Sequence, residues 1–189
     1  MSYLRPSLVI LLLLSLITGM AYPLLTTGLA QLLFAKQANG SLMYQDNNVV
    51  GSALIGQNFT QPKYFWGRPS ATADSAYNAA ASGGSNLATS NPALNQTIAE
   101  RAAQLRQANP AMHGPIPVDL LTASASGLDP HISIAAAHYQ LARVAAARHL
   151  SSAQVAALID KNIDLATPSF MGESVVNVLK LNMALDALK

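Results

Sequence analysis

Residues of this chain that could do chemistry fall into a few short groups. Gly51-Ser52-Ala53-Leu54-Ile55-Gly56 has two glycines at the spacing that opens a phosphate-binding loop. The next two positions do not supply the rest. Such a loop needs a Lys to reach the phosphates and a Ser or Thr to hold magnesium, and here Gln57 and Asn58 follow. A strand with glycine turns fits the residues better. Ser82-Gly83-Gly84-Ser85-Asn86 offers backbone N–H groups that suit an anion, and equally suit the close approach of another protein.

Asp129, His131 and His138 are the only metal-ligand constellation, with no H-x-x-x-H pair to support it. The expected metal set is therefore none. Ser124 and Ser126 stand beside Gly127 without the G-x-S-x-G elbow of a serine nucleophile, so no catalytic residue is assigned. Gln140 and Arg143 lie one turn apart on a helix face, an arrangement suited to a carboxylate, a phosphate or a partner's backbone.

The elements that position these groups begin with an apolar segment. No charged residue occurs from Pro6 to Ala35, between Arg5 and Lys36. About 20 helical residues cross a bilayer core, so Leu8 to Phe34 is ample. A cleaved signal is the competing reading, with Gly19-Met20-Ala21 as its cleavage site, but the apolar run exceeds a signal's roughly 7–15 residues. Residues 1–35 are read as a retained anchor and 36–189 as one soluble, extracytoplasmic α+β domain. Arg5 weakly favours a cytoplasmic N-terminus by the positive-inside bias. Pro23 predicts a kink or helix end near Tyr22. Ser15 and Gly19 form a small-residue pair suited to packing against a partner helix.

The domain's 150 or so residues can bury a real core. Across the whole chain 11 Lys/Arg stand against 9 Asp/Glu, with no run of one sign, which argues against nucleic-acid binding. The chain has no cysteine, which excludes disulfides, thiolate metal sites and a lipid-bearing N-terminal Cys.

Short strands are predicted at Val49–Phe59, Tyr64–Trp66 and Val118–Thr122, and a loop at Ser70–Ser90 that is flexible, functional or ordered by a partner. Asn91 with Pro92 opens a helix that Asn109-Pro110 stops. Ser133 caps what reads as the longest soluble helix, and Ser151 with Gln154 forms a capping box for the next. A strand at Ser174–Val176 leads into a helix from Asn177.

Five blocks together are similar to the C subunit of the bacterial Kdp-type high-affinity potassium-transporting ATPase. They are 51–57, Tyr64-Phe65-Trp66-Gly67-Arg68-Pro69-Ser70-Ala71, 82–87 with Asn91-Pro92, Thr122 to Ser133, and Val175-Val176-Asn177-Val178 with Leu181-Asn182. The resemblance spans nearly the whole chain; Ser174 departs from it where proline is expected.

The resemblance implies a non-catalytic accessory subunit of an ATP-driven potassium importer in the bacterial inner membrane. Its partners would be a channel-like subunit, a P-type ATPase subunit and a further small membrane subunit, besides the lipid bilayer. It implies a catalytic chaperone that raises the ATPase subunit's affinity for ATP, with Gln140 and Leu141 matching the nucleotide-contacting element. No intrinsic cofactor is implied, and ATP only in complex with the ATPase subunit.

A domain outside the membrane cannot reach cytoplasmic ATP, so the residues favour an indirect role. A subunit contributing ligands to a shared ATP site, and an anchored solute-binding domain, remain the alternatives.

Overall fold

The computed structural model describes residues 3–188 and divides into two compact units, Met1–Val50 and Gly51–Lys189. In the first, the helix α1 (Leu4–Leu33) has a mean hydropathy of 2.4 and no buried residue in its most apolar window. By length and composition it can cross a membrane, the one such helix among the described residues.

Pro23 does not end this helix. A π-turn at Ile17–Ala21 precedes it, and the α-helix resumes over Tyr22–Leu33 with Pro23 in its first turn. A proline there has no N–H to give to the preceding turn, and the wider turn accommodates that loss without breaking the helix. The strands β1 (Leu42–Gln45) and β2 (Asn48–Ser52) then form a two-stranded sheet.

The larger unit is α+β. Asn91 caps α2 (Pro92–Ala108) through its side chain, which accepts from Ala93 N. At 17 residues it is longer than α3 (Ile134–Arg148), at 15, so the helix after Ser133 is not the longest of this unit. Ser133 ends β3 (His131–Ser133) and caps α3, its side chain accepting from Ala136 N at 3.0 Å. The capping box of Ser151 and Gln154 opens α4 (Ser152–Lys161). After β4 (Ile163–Asp164), β5 (Val175–Asn177) runs straight into α5 (Val178–Asp186), with Asn177 as cap. The three-stranded antiparallel sheet has the order β3-β5-β4, with Ile132 opposite Val176 and Val176 opposite Ile163.

Core and strands meet where α3 and α5 pack on this sheet. Ala136, Ala137, Tyr139, Val144 and Ala145 of α3 join Val178, Leu181 and Leu185 of α5, Val155 and Ile159 of α4, and Leu105 of α2. Phe65, fully buried, is the core's large side chain from outside these elements; full burial of such a ring is worth roughly 1.5–3 kcal/mol.

Two predicted strands are absent. Beyond Ser52, the Val49–Phe59 segment and Tyr64–Trp66 form no strand, although their residues suit one. Gly56 N donates to the Leu128 carbonyl at 2.8 Å, and Phe65 and Trp66 are bonded by side chains in place of a neighbouring strand, as described below. Val118–Leu120 is a 3-10 turn instead of a strand. There Leu120 is buried, and the Asp119 carboxylate accepts from Ser133 N at 2.7 Å, tying the turn to the cap of α3.

The Ser70–Ser90 loop is laced by its own polar groups. Ser70 Oγ donates to Gly127 O and accepts from Tyr77 N, and Gly83 N donates to Ser126 O at 2.9 Å. Gly127 has φ +68, and a Cβ there would sit 2.7 Å from Gly83 O, so the two glycine-rich loops approach each other instead of a ligand. Ser174 Oγ accepts from Ala166 N at 3.4 Å in the local turn.

Candidate functional site

Gln140 and Arg143 do lie together, and what they hold is a segment of their own chain. Residues 61–68 form a strap held by α3 and α5, opening with a turn at Gln61–Tyr64 in which Tyr64 N donates to Gln61 O at 3.1 Å. Gln140 Oε1 accepts from Trp66 N at 2.8 Å and Gln140 Nε2 donates to Trp66 O at 3.0 Å. Asn182 on α5 does the same for Phe65: its Oδ1 accepts from Phe65 N at 2.9 Å and its Nδ2 donates to Phe65 O at 3.0 Å. A carboxamide carries both a donor and an acceptor, so each side chain replaces one residue of a partner strand.

Arg143 completes the grip. Its Nη1 donates to Pro62 O at 2.6 Å and Tyr64 O at 3.1 Å, its Nη2 to Gln140 Oε1 at 2.7 Å, and its Nε to Asn109 Oδ1 at 3.2 Å. The guanidinium also stacks 4.0 Å from the Trp66 ring. Burial pushes the Arg143 pKa down to about 10, which leaves it charged at neutral pH. Further along, Arg148 Nε donates to Lys63 O at 3.0 Å and pairs with Asp186, which accepts from Tyr64 OH at 3.1 Å.

The far end of the strap is set by Tyr77, in a left-handed conformation at φ +59. Its hydroxyl donates to Arg68 O at 2.6 Å, and its ring fills the space where Gly56 and Gly67 lack side chains. A Cβ on Gly56 would collide with the Tyr77 ring and lie 2.8 Å from Asp129 O. Glycine at 56 therefore makes room for a tyrosine, not for a phosphate. Burial, with the Asp129 charge adding to it, pushes the Tyr77 phenol up to about 12.

Arg68 pairs with Asp129 at 3.1 Å, and Asp129 accepts from His131 N at 2.9 Å. Burial raises the Asp129 pKa, but the His131 hydrogen bonds and the Arg68 guanidinium outweigh it and hold the carboxyl below its ordinary value. His138 is not part of this group; it faces Asp160 at 4.0 Å. Among the described residues, no three His, Cys, Asp or Glu side chains come together as metal ligands.

Gln140 has no exposed surface, and Leu141 is partly buried against the core. In the span, Ser15 lies in the first α-helical stretch and Gly19 inside the π-turn, with open space where a Gly19 Cβ would stand. Sequence reading missed Asn182, Arg148 and Tyr77. Asn182 carried a signal, being a carboxamide adjacent to Leu181 on a helix face that is otherwise apolar.

An apolar helix long enough to span a bilayer, followed by an α+β unit, is the build of a small membrane-associated protein. The family described as KdpC, K+-transporting ATPase, c chain, matches residues 4–187. The chain is 79% identical to the potassium-transporting ATPase KdpC subunit of Serratia proteamaculans over the full length of both. It is 67% identical to that of Yersinia enterocolitica over 99% of this chain and 94% of the relative. With the subunit of Methylococcus capsulatus it shares 57% identity over 100% of this chain and 99% of the relative. The chain belongs to the KdpC family and is a subunit of a potassium-transporting ATPase complex.

Proposed function

We propose that this chain is a non-catalytic accessory subunit of the potassium importer, anchored by α1 in the bacterial inner membrane with its soluble unit outside the cytoplasm. It supports assembly with the channel-like and P-type ATPase subunits and raises the ATPase subunit's affinity for ATP indirectly, as a catalytic chaperone. The observation that carries this reading is the state of Gln140: its carboxamide is fully buried and bonded to Trp66 and Arg143. A nucleotide could reach it only by displacing the strap. The Gln140–Leu141 element is therefore read as the support of the strap, and ATP as a ligand of the partner. Ser15 and Gly19 are read as the face of α1 that meets a partner helix.

Topology is the test. The chain has no cysteine, so Gln45→Cys, at an exposed position, introduces a unique label site. In spheroplasts carrying the whole complex, a membrane-impermeant maleimide is expected to label it without permeabilisation. Labelling only after permeabilisation would put the soluble unit beside the ATP and overturn the indirect mechanism.

A further inference from the structure

Beside the strap, and separate from the Gln140 and Asn182 grips, lies a cleft of about 410 Å³ between the strap and α2. Phe59, Trp66 and Tyr77 give it aromatic walls, and Arg68, Arg101 and Gln104 line it with polar groups. Sites for small molecules have volumes of roughly 300–1,000 Å³ and combine apolar walls with a few placed polar groups.

The two arginines differ in one respect that matters. Arg68 is neutralised by Asp129 at 3.1 Å. Arg101 has no carboxylate within ion-pair distance among the described residues; its Nη1 donates to the Leu121 carbonyl at 2.9 Å. One carbonyl satisfies one of five N–H groups and brings no net charge. Burial lowers the Arg101 pKa, and no acidic neighbour opposes that shift. A partly desolvated guanidinium without a counter-ion is stabilised by any anion that enters beside it.

We propose that this cleft binds a small organic anion, a carboxylate or phosphate ester carried on a flat ring, with the anionic group on Arg101 and the ring against Trp66 and Phe59. The aromatic walls distinguish such a ligand from bare phosphate, which has nothing to place against them. All lining residues belong to the unit Gly51–Lys189, so the inference holds on whichever side of the membrane that unit stands.

Trp66 is the chain's single tryptophan and lines the cleft, so its fluorescence reports occupancy directly. The full-length chain in detergent micelles is titrated with benzoate, phenyl phosphate, inorganic phosphate and the neutral isostere benzamide. Benzoate and phenyl phosphate are expected to give saturable changes; inorganic phosphate should bind more weakly, and benzamide not at all. Arg101→Gln should weaken binding by about tenfold or more, as loss of one charge-assisted contact implies. Gln104→Glu, which leaves Arg101 in place and adds a negative charge to the cleft, should weaken it as well. No saturable response to either ring-bearing anion overturns the proposal. So does benzamide binding as tightly as benzoate, or an Arg101→Gln chain that binds like the wild type.

Discussion

Gln140 and Asn182, on two different helices, grip consecutive residues of one strap, each carboxamide taking both the N–H and the C=O of its residue. Replacing either by Ala strands a buried donor and a buried acceptor, at a cost of roughly 1–3 kcal/mol for each group left unpaired. Urea unfolding should register the loss as a lower midpoint. The double variant should cost less than the sum of the two singles, because freeing one peptide loosens its neighbour. Strict additivity would mean that the two grips act on separate parts of the structure.

Arg143 is bonded to three segments of chain at once, through Pro62 O and Tyr64 O of the strap, Gln140 and Asn109. Arg143→Lys keeps the charge but lacks the planar fork, so it should lose most of this network. The expected destabilisation is about 2–4 kcal/mol, larger than for Arg148→Lys at the more exposed end of the strap. Equal losses at the two sites would remove Arg143 from its place as the hub.

Gly56→Ala should push out the Tyr77 ring and cost about 1–3 kcal/mol by overpacking. Adding Tyr77→Ala should recover part of that loss, which a double-mutant cycle measures; no recovery would place the clash elsewhere. The same tyrosine sets an alkaline limit. Its folded pKa, about 12, lies above the ordinary value near 10, so the stability it contributes is fully present below pH 10 and lost as pH rises through 12. Tyr77→Phe should flatten stability over that window relative to wild type, a comparison in which the Arg143 contribution cancels.

Asp129 acts at the acid end. Its folded pKa lies below the ordinary carboxylate value, so its contribution is present above that value and is lost as pH falls through the depressed one. Asp129→Asn, which keeps an acceptor for His131 N, should show a shallower decline of unfolding midpoint below about pH 4 than the wild type. Parallel acid limbs would show that the Arg68 pair contributes no pH dependence.

Features that act within a few residues were legible in the sequence. Asn91, Ser133 and the Ser151–Gln154 box each satisfy a helix N-terminus two or three positions away, and each cap forms where expected. The strap was misread because its partners are 74 and 117 residues distant in sequence. Tyr64-Phe65-Trp66 has strand-forming residues and strand-like hydrogen bonding, but the opposing ladder consists of side chains on two helices. The Gln140–Arg143 pair reads as suited to a carboxylate, a phosphate or a partner's backbone; that it holds a backbone of its own chain lies beyond local pattern. Likewise Gly51 and Gly56 have a nucleotide loop's spacing because both need room, Gly51 for Gln57 and Leu179 and Gly56 for Tyr77.

The separation between strap and grips also fixes an order of events during synthesis. The apolar helix α1 and the strap emerge first, Gln140 follows, and Asn182 comes 117 residues after the phenylalanine it holds. Until then the N–H and C=O of Phe65 lack the carboxamide that pairs with both. The unit Gly51–Lys189 thus completes its fold only once its last helix has been made, and a ribosome stalled ahead of Asn182 would leave the Phe65 N–H and C=O without the side chain that holds them.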